Sequence, residues 1–228
     1  MVMDWLKLSI LSMLKKVTLI ISDERHPVNC WIEAWVNQRP EGQFAEIVRT
    51  SDQAKGGDIC FLISCTEILP NEFMQRYTHV LVIHASDVPK GRGWSPHIWA
   101  IIRGQEELTI SLLEASKTVD CGDIWYKSTY QIPKYFLYHD IIEVVNQAHI
   151  DLIDYALEHH ATVNPLPQDL QIVPTYLPKR TPVDSEISAS ESIASQFDLL
   201  RVCDKDRFPS FFYLHGKKFK ITIKRSDE

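Results

Sequence analysis

The sequence has no Cys-x-x-Cys pair, no Gly-x-Gly-x-x-Gly after its first apolar run, no Gly-x-x-x-x-Gly-Lys-Ser/Thr loop and no Gly-x-Ser-x-Gly elbow. Zinc-ligand spacing is therefore absent. The usual dinucleotide and P-loop nucleotide readings go with the glycine motifs, and a serine hydrolase of the elbow type goes with the last. Positive charge is also in short supply: 24 Lys and Arg face 30 Asp and Glu, for a net charge of −6. A protein that tracks a phosphate backbone carries a basic footprint, so no nucleic-acid partner is expected. One small phosphorylated ligand in a local basic pocket stays open. No metal is expected, and no membrane span, since the apolar N-terminal stretch is too short and is interrupted by Asp4 and Lys7. The five cysteines are odd in number, and Cys60 and Cys65 lie too close in one strand-like run to bridge easily. A disulfide needs Cα atoms about 5.5 Å apart. Reduced thiols in a cytoplasmic protein are the expectation.

What is present is a substantial apolar fraction. Of 228 residues 45% are hydrophobic and 10% aromatic, enough for one medium domain with a small appendage. Residues 1–16 read as an N-terminal leader, amphipathic or upstream of the true start, with no small-residue cleavage site behind them. Strands are expected over Val17 to Ser22, Phe44 to Arg49, Asp58 to Ser64 and His79 to Ala85, with a helix over Asn29 to Gln38 and a helix or turn from Pro70 to Arg76 between them. A helix from Pro96 to Arg103, two further strands and a long helix from Tyr138 to His160 follow. This alternation predicts an α/β fold with a Rossmann-like, mainly parallel sheet flanked by helices, over residues 17–163. Residues 164–228 read as a proline-rich irregular linker, a short helix from Ser190 to Leu200 and a C-terminal β-hairpin turning at His215-Gly216. The hairpin aromatics Phe211, Phe212 and Tyr213 leave two uses open, a homodimer contact or packing on their own domain.

The stretch HASDVPKGRGWSPHIW, from His84 to Trp99, holds the most chemistry. His84 ends an apolar run where a strand leaves the sheet, the edge at which open α/β sheets bind ligands; taken alone, it is as compatible with a structural histidine. Lys90 and Arg92 between Gly91 and Gly93 could bring cations and backbone N–H groups onto an anion, or form a solvated turn. Asp120, in VDCGDIW, could orient His84 or raise its basicity, although Asp-x-Gly is also common turn chemistry. Cys65 follows a strand as a nucleophile would, but its apolar surroundings favour a structural thiol. The adjacent His159 and His160 project in different directions, as at a helix end.

Together these motifs resemble the folate-dependent formyltransferases. His84, Ser86, Pro89, Arg92 and Gly93, with Pro96 and Trp99 beyond, match a family loop of the form His-x-Ser-x-x-Pro-x-x-Arg-Gly; Asp120, Gly122 and Ile124 match its later Asp-x-Gly-x-Ile. Ile68 to Pro70 resembles the loop enclosing the pterin, and Lys179 to Ile187 the segment after the catalytic domain. The resemblance implies N10-formyltetrahydrofolate as cosubstrate, with Ser64, Cys65, Ile68, Leu69 and Asp123 around it, and His84 and Asp120 as catalytic residues. It implies Ser86, Lys90, Arg92, Gly93, Trp94 and Ser95 on the acceptor side, with Lys90 and Arg92 meeting a pyrophosphate or sugar. The short C-terminal piece resembles the sugar N-formyltransferases, which implies the amine of a nucleotide-linked amino sugar, of the UDP-4-amino-4,6-dideoxy type, as acceptor. A tRNA- or carrier-bound amine, or a weak or inactive binding module, are the alternatives. The family carries an asparagine two residues before the histidine; here that residue is Val82, which cannot donate a hydrogen bond. Either another donor replaces it, for which a backbone N–H of the Lys90–Ser95 loop or Ser86 is a candidate, or the protein is slow or inactive.

Overall fold

The computed structural model describes residues 16–226, so the leader expected over 1–16 lies outside the described residues except for Lys16. The chain runs through β1 (Lys16–Ile20), α1 (Val28–Asn37), β2 (Phe44–Val48), β3 (Gly57–Leu62), a short α2 (Asn71–Met74) and β4 (Tyr77–His84). Then come β5 (Arg92–Gly93), α3 (Pro96–Ile102), β6 (Glu107–Glu114), β7 (Ile124–Gln131) and α4 (Tyr138–His159). The C-terminal part holds β8 (Tyr176–Leu177), α5 (Phe197–Leu200), β9 (Ser210–Leu214) and β10 (Lys217–Ile221). Six strands form one sheet in the order β2-β1-β3-β4-β6-β7. The first four are parallel and the last two antiparallel. The fold is the expected Rossmann-like α/β sheet with a small antiparallel hairpin at the C-terminal end.

Two apolar layers flank the sheet, because successive strand residues face opposite sides. Leu81 and Ile83 of β4 join the larger cluster, which includes Ile32 and Trp35 of α1 and Ile141, Val145, Leu152 and Ile153 of α4. Trp35 ties the two helices together by donating from Nε1 to Asp154 Oδ1 at 2.8 Å. Val80 and Val82 join the other cluster, with Cys60, Leu62, Leu69 and Phe73. His84 follows Val82 at strand spacing and leaves the sheet on that second face.

The departures from expectation are at element ends. β3 stops at Leu62 instead of Ser64, where Ser64 turns the chain with a left-handed φ of 49°. The helix expected from Ser190 to Leu200 shrinks to a 3₁₀ turn, Ala194–Gln196, and α5. Hydroxyls and amides there bond the backbone directly: Ser188 N–H donates to Gln196 Oε1 at 2.6 Å and Ser195 N–H to Ser192 Oγ at 3.1 Å. Such local bonds compete with helix. The stretch expected as a linker is irregular but anchored. Ile124 and Leu166 exchange backbone hydrogen bonds of 2.7 and 2.9 Å, and β8 pairs in parallel with β5. Its prolines remove helix and mask the pairing from any periodicity test. The hairpin turns at His215 and Gly216, both left-handed with φ of 49° and 71°, the two-residue turn whose twist suits paired strands. Its base belongs to its own chain: Phe211 is 4% exposed and its carbonyl accepts from Ile187 N–H at 2.8 Å. Tyr213 and Phe219 stay exposed.

Candidate active site

β4 delivers His84 to the carboxyl edge of the sheet, and the following loop folds back over it. The imidazole Nε2 lies 2.9 Å from the Gly91 carbonyl oxygen. A carbonyl only accepts, so Nε2 carries a proton and the neutral ring presents its lone pair at Nδ1. Asp120 Oδ2 stands 3.6 Å from the same Nε2, with both side chains 8% exposed. That is an ion-pair distance and too long for a hydrogen bond. Instead the carboxylate accepts from Gly93 N–H at 2.8 Å. Asp120 itself has a left-handed φ of 55°, a conformation that costs a non-glycine residue free energy and persists where its surroundings impose it. Behind it, Gly122 lies so close to the Glu114 carbonyl that no Cβ fits.

The loop spends its backbone donors on itself and on its neighbours. Lys90 N–H donates to Asp87 O at 3.1 Å, and Arg92 N–H to Thr175 O at 2.9 Å. Gly91 N–H donates to Thr175 Oγ1 at 2.8 Å, Gly93 to Asp120, and Trp94 N–H to Leu177 O at 3.1 Å. The expectation that these amides receive a developing negative charge is therefore corrected for the five residues from Lys90 to Trp94: their protons are already engaged. Ser86 Oγ, by contrast, is buried and has no hydrogen-bond partner.

Gly93 shows how tightly the loop is drawn in. Its φ is +99°, and a Cβ there would lie 2.5 Å from the Leu177 carbonyl oxygen. Gly93→Ala is expected to cost about 1–3 kcal/mol from the backbone conformation alone, with further loss from the clash and from the displaced bond to Asp120. Thermal unfolding of the variant beside the unaltered protein reads this; an unchanged Tm would show that the loop is free to move off β8.

Arg92 is also placed differently from expectation. It is 8% exposed, and its guanidinium donates to Gln168 Oε1 at 2.6 Å and to the Tyr176 hydroxyl at 3.0 Å. It braces the loop from inside and does not project toward a pyrophosphate. The exposed positions of the loop are Asp87, Lys90 and Trp94, with Lys179 Nζ 4.7 Å from the Trp94 ring centre. Ser95 caps α3 from a left-handed φ of 46°. Thr175, Tyr176, Lys179 and Gln168 all come from the stretch that reads as a linker; no motif or period marked Gln168, Thr175 or Tyr176, and Lys179 was marked only as the start of the segment after the catalytic domain.

Of the residues expected around the pterin, Ile68 and Leu69 line a shallow cleft with Pro70, Asn71, Glu72 and Lys117. Ile68 is 75% exposed while Leu69 is buried. Lys117 lies three residues before Asp120 on the connection between β6 and β7. Asp123 is exposed, and its carbonyl accepts from Glu114 N–H at 2.9 Å. Burial pushes the Cys65 thiol above its ordinary range, which removes the thiolate a nucleophile needs. His159 and His160 each engage a backbone carbonyl through Nδ1, and among the described residues no group of three or more His, Cys, Asp or Glu could hold a metal.

Ser64 meets a second histidine. Val28 N–H donates to His26 Nδ1 at 3.2 Å, which leaves His26 Nε2 to donate to Ser64 Oγ at 3.0 Å. Burial first, then the nearby His149 and Arg207, lowers the His26 pKa to about 4. His97, whose Nδ1 is buried without a partner, is lowered to about 3, again by burial first. An unfolded histidine takes its proton near pH 6.5. Between about pH 6.5 and 4 the unfolded chain thus binds protons that the folded one refuses. Stability is fully present above that window and falls as pH drops through it. The expected result is a Tm that declines steadily on acidification from pH 6.5 to 4, with a shallower slope in His26→Gln; a Tm flat over that range would sink the assignment.

The formyl transferase family profile matches residues 12–150, a span that contains β4, His84, its loop and Asp120. The chain belongs to the formyl transferase family. Among curated relatives, methionyl-tRNA formyltransferase of Streptococcus thermophilus is 26% identical over 171 residues, covering 73% of this chain and 53% of that protein. The chain spans about half the length of the curated relatives it matches. Solved structures share the fold. Methionyl-tRNA formyltransferase from Clostridium thermocellum superposes with a TM-score of 0.76 at 19% identity, covering 94% of each chain. A sugar N-formyltransferase from Shewanella gives 0.67 at 16%, covering 93% of this chain and 98% of that one. HypX from Aquifex aeolicus, solved with tetrahydrofolic acid, gives 0.70 at 17%, covering 92% and 37%. The formyl transferase domain so defined ends at residue 150, yet Gln168 and Thr175 to Leu177, which brace the loop after β4, lie beyond it.

Proposed function

We propose that this protein is a folate-dependent N-formyltransferase that moves the formyl group of N10-formyltetrahydrofolate to the amine of a nucleotide-linked amino sugar, of the UDP-4-amino-4,6-dideoxy type. The observation that carries the reading is the His84–Asp120 pair, 3.6 Å apart at the carboxyl edge of β4, inside the family domain. The residues present fit the cosubstrate: an apolar cleft at Ile68 and Leu69 offers a face for a flat ring system, and Lys117 on its rim suits an anionic tail. The bound folate supplies the formyl group as an activated amide.

The protein's own part is proton traffic and positioning. A protonated amine has no lone pair, so the acceptor must arrive neutral or lose a proton on attack. An imidazole matches that task near neutral pH. With Nε2–H committed to Gly91 O, the lone pair that accepts the proton is at Nδ1. The charge that develops on the ring is offset from the Nε2 side by Asp120. Proton delivery to the departing nitrogen then restores neutral His84. On the acceptor side Lys90, Trp94 and Lys179 offer two cations and an aromatic face at the mouth of the loop, as a pyrophosphate-linked sugar requires. The acidic net charge of −6 favours such a small acceptor over a tRNA. Cytoplasmic placement goes with this substrate class.

Val82 supports one other reading, a module that binds folate or nucleotide sugar without turnover. The test incubates the protein with N10-formyltetrahydrofolate and a panel of UDP- and dTDP-amino sugars, with aminoacyl-tRNA as a further acceptor, and follows tetrahydrofolate release. Release with a sugar is the expected result. Release with tRNA alone would move the acceptor, and folate binding without release on any amine would replace the enzyme by the module.

A further inference from the structure

Gln168 is 7% exposed and every polar atom of its side chain is used. Its amide nitrogen donates to Asp120 O at 2.8 Å and to Gly122 O at 2.9 Å, the two carbonyls that flank the left-handed turn of the Asp120 loop. Its Oε1 accepts from Arg92 Nη2 at 2.6 Å. Two donors and one acceptor in this arrangement are a specification that only a carboxamide meets. The bond from the guanidinium draws electron density toward Oε1 and strengthens the amide as a donor.

We infer that Gln168 is a positioning residue that holds Asp120 beside His84, and so sets the charge partner of the base, although it lies outside the matched family domain. The inference rests on the formyl-transfer reading of the His84 site. The geometry closes a ring: Asp120 Oδ2 accepts from Gly93 N–H at 2.8 Å, Gly93 follows Arg92, Arg92 bonds Gln168, and Gln168 returns to the Asp120 carbonyl. Gly91, next in the same segment, holds His84 Nε2. One side chain thus locks the loop of the base and the loop of the acid to a common frame. Asp120 sits at φ 55°, and the two bonds from Gln168 supply part of the restraint that such a conformation requires. Without them the turn relaxes toward negative φ, and the carboxylate swings away from the imidazole.

The test uses the full chain with two substitutions. Gln168→Leu removes all three bonds. Gln168→Glu keeps an acceptor for Arg92 but has no donor for the two carbonyls, so it separates support of Arg92 from support of Asp120. Both variants are expected to lose kcat, by up to about 10²-fold for a displacement near 1 Å, with KM for N10-formyltetrahydrofolate little changed. Loss in either variant should also be non-additive with Asp120→Asn, since residues acting through one network do not add. A merely structural role would lower Tm and add to Asp120→Asn. Full kcat in Gln168→Glu, or additive losses, overturns the inference. A crystal structure of Gln168→Leu decides it independently of turnover: Asp120 should leave the left-handed region and stand farther from His84. An undisturbed Asp120 overturns the inference even where formyl transfer is proven. No tetrahydrofolate release by the unaltered protein overturns the formyl-transfer reading instead.

Discussion

His84→Asn and Asp120→Asn are each expected to lower kcat by about 10²–10⁴-fold, the range that general acid–base catalysis commonly supplies, with KM for N10-formyltetrahydrofolate little changed. The asparagines keep size and polarity. At position 84 the substitution removes the lone pair that takes the proton from the amine. At position 120 it keeps an oxygen that can accept the Gly93 N–H but discards the negative charge 3.6 Å from Nε2. The split between kcat and KM is the diagnostic, because a group that acts only as charge develops contributes nothing to ground-state binding. Steady-state rates of tetrahydrofolate release, measured with a saturating amino sugar, read it. Activity undiminished in either variant removes that residue from the chemistry.

Val82→Asn is expected to move the rate the other way, by about 10²–10³-fold, the amount commonly lost when one donor to an oxyanion is removed. Val82 precedes His84 by two residues and therefore faces the same side of β4. The backbone N–H groups from Lys90 to Trp94 are bonded elsewhere. An amide introduced at position 82 would aim a free donor at the reacting centre. The substitution also places a polar group against the apolar cluster of Leu62, Leu69 and Phe73, so a lower Tm accompanies the gain. An unchanged rate at a preserved fold would mean that the donor is already supplied, and Ser86 Oγ, buried and unbonded, is where the charge would go. Ser86→Ala then distinguishes the two, since it should be silent if the donor is truly missing.

The fold was legible because its signals are local. The apolar strands at Val17, Ile59 and Val80 are short runs bounded by turns, and α4 presents Ile141, Val145, Leu152 and Ala156 at helical spacing. The positions of His84 and Asp120 followed from motifs in two loops. What escaped was the material that holds those loops. Arg92 read as a cation free to meet an anion because its partner, Gln168, lies 76 residues away in a stretch with no period to betray it. The amides of Gly91, Arg92 and Trp94 read as available because their acceptors, Thr175 and Leu177, come from that same stretch. Strand pairing of two residues, as in β5 with β8, leaves no alternation to detect; its information is in hydrogen bonds between distant segments, and a single sequence does not carry that pairing.

The β5–β8 ladder has a consequence for how members of this family can be recombined. A chimera joined at residue 150 would take His84 and Asp120 from one parent and their fastening from another. Thr175, Tyr176 and Leu177 would have to meet a foreign Gly91, Arg92 and Gly93 atom for atom, with Gln168 threaded between them. A crossover placed after Leu177 keeps both halves of that clasp in one inheritance, and the heritable unit of this active site is longer than the domain that names it.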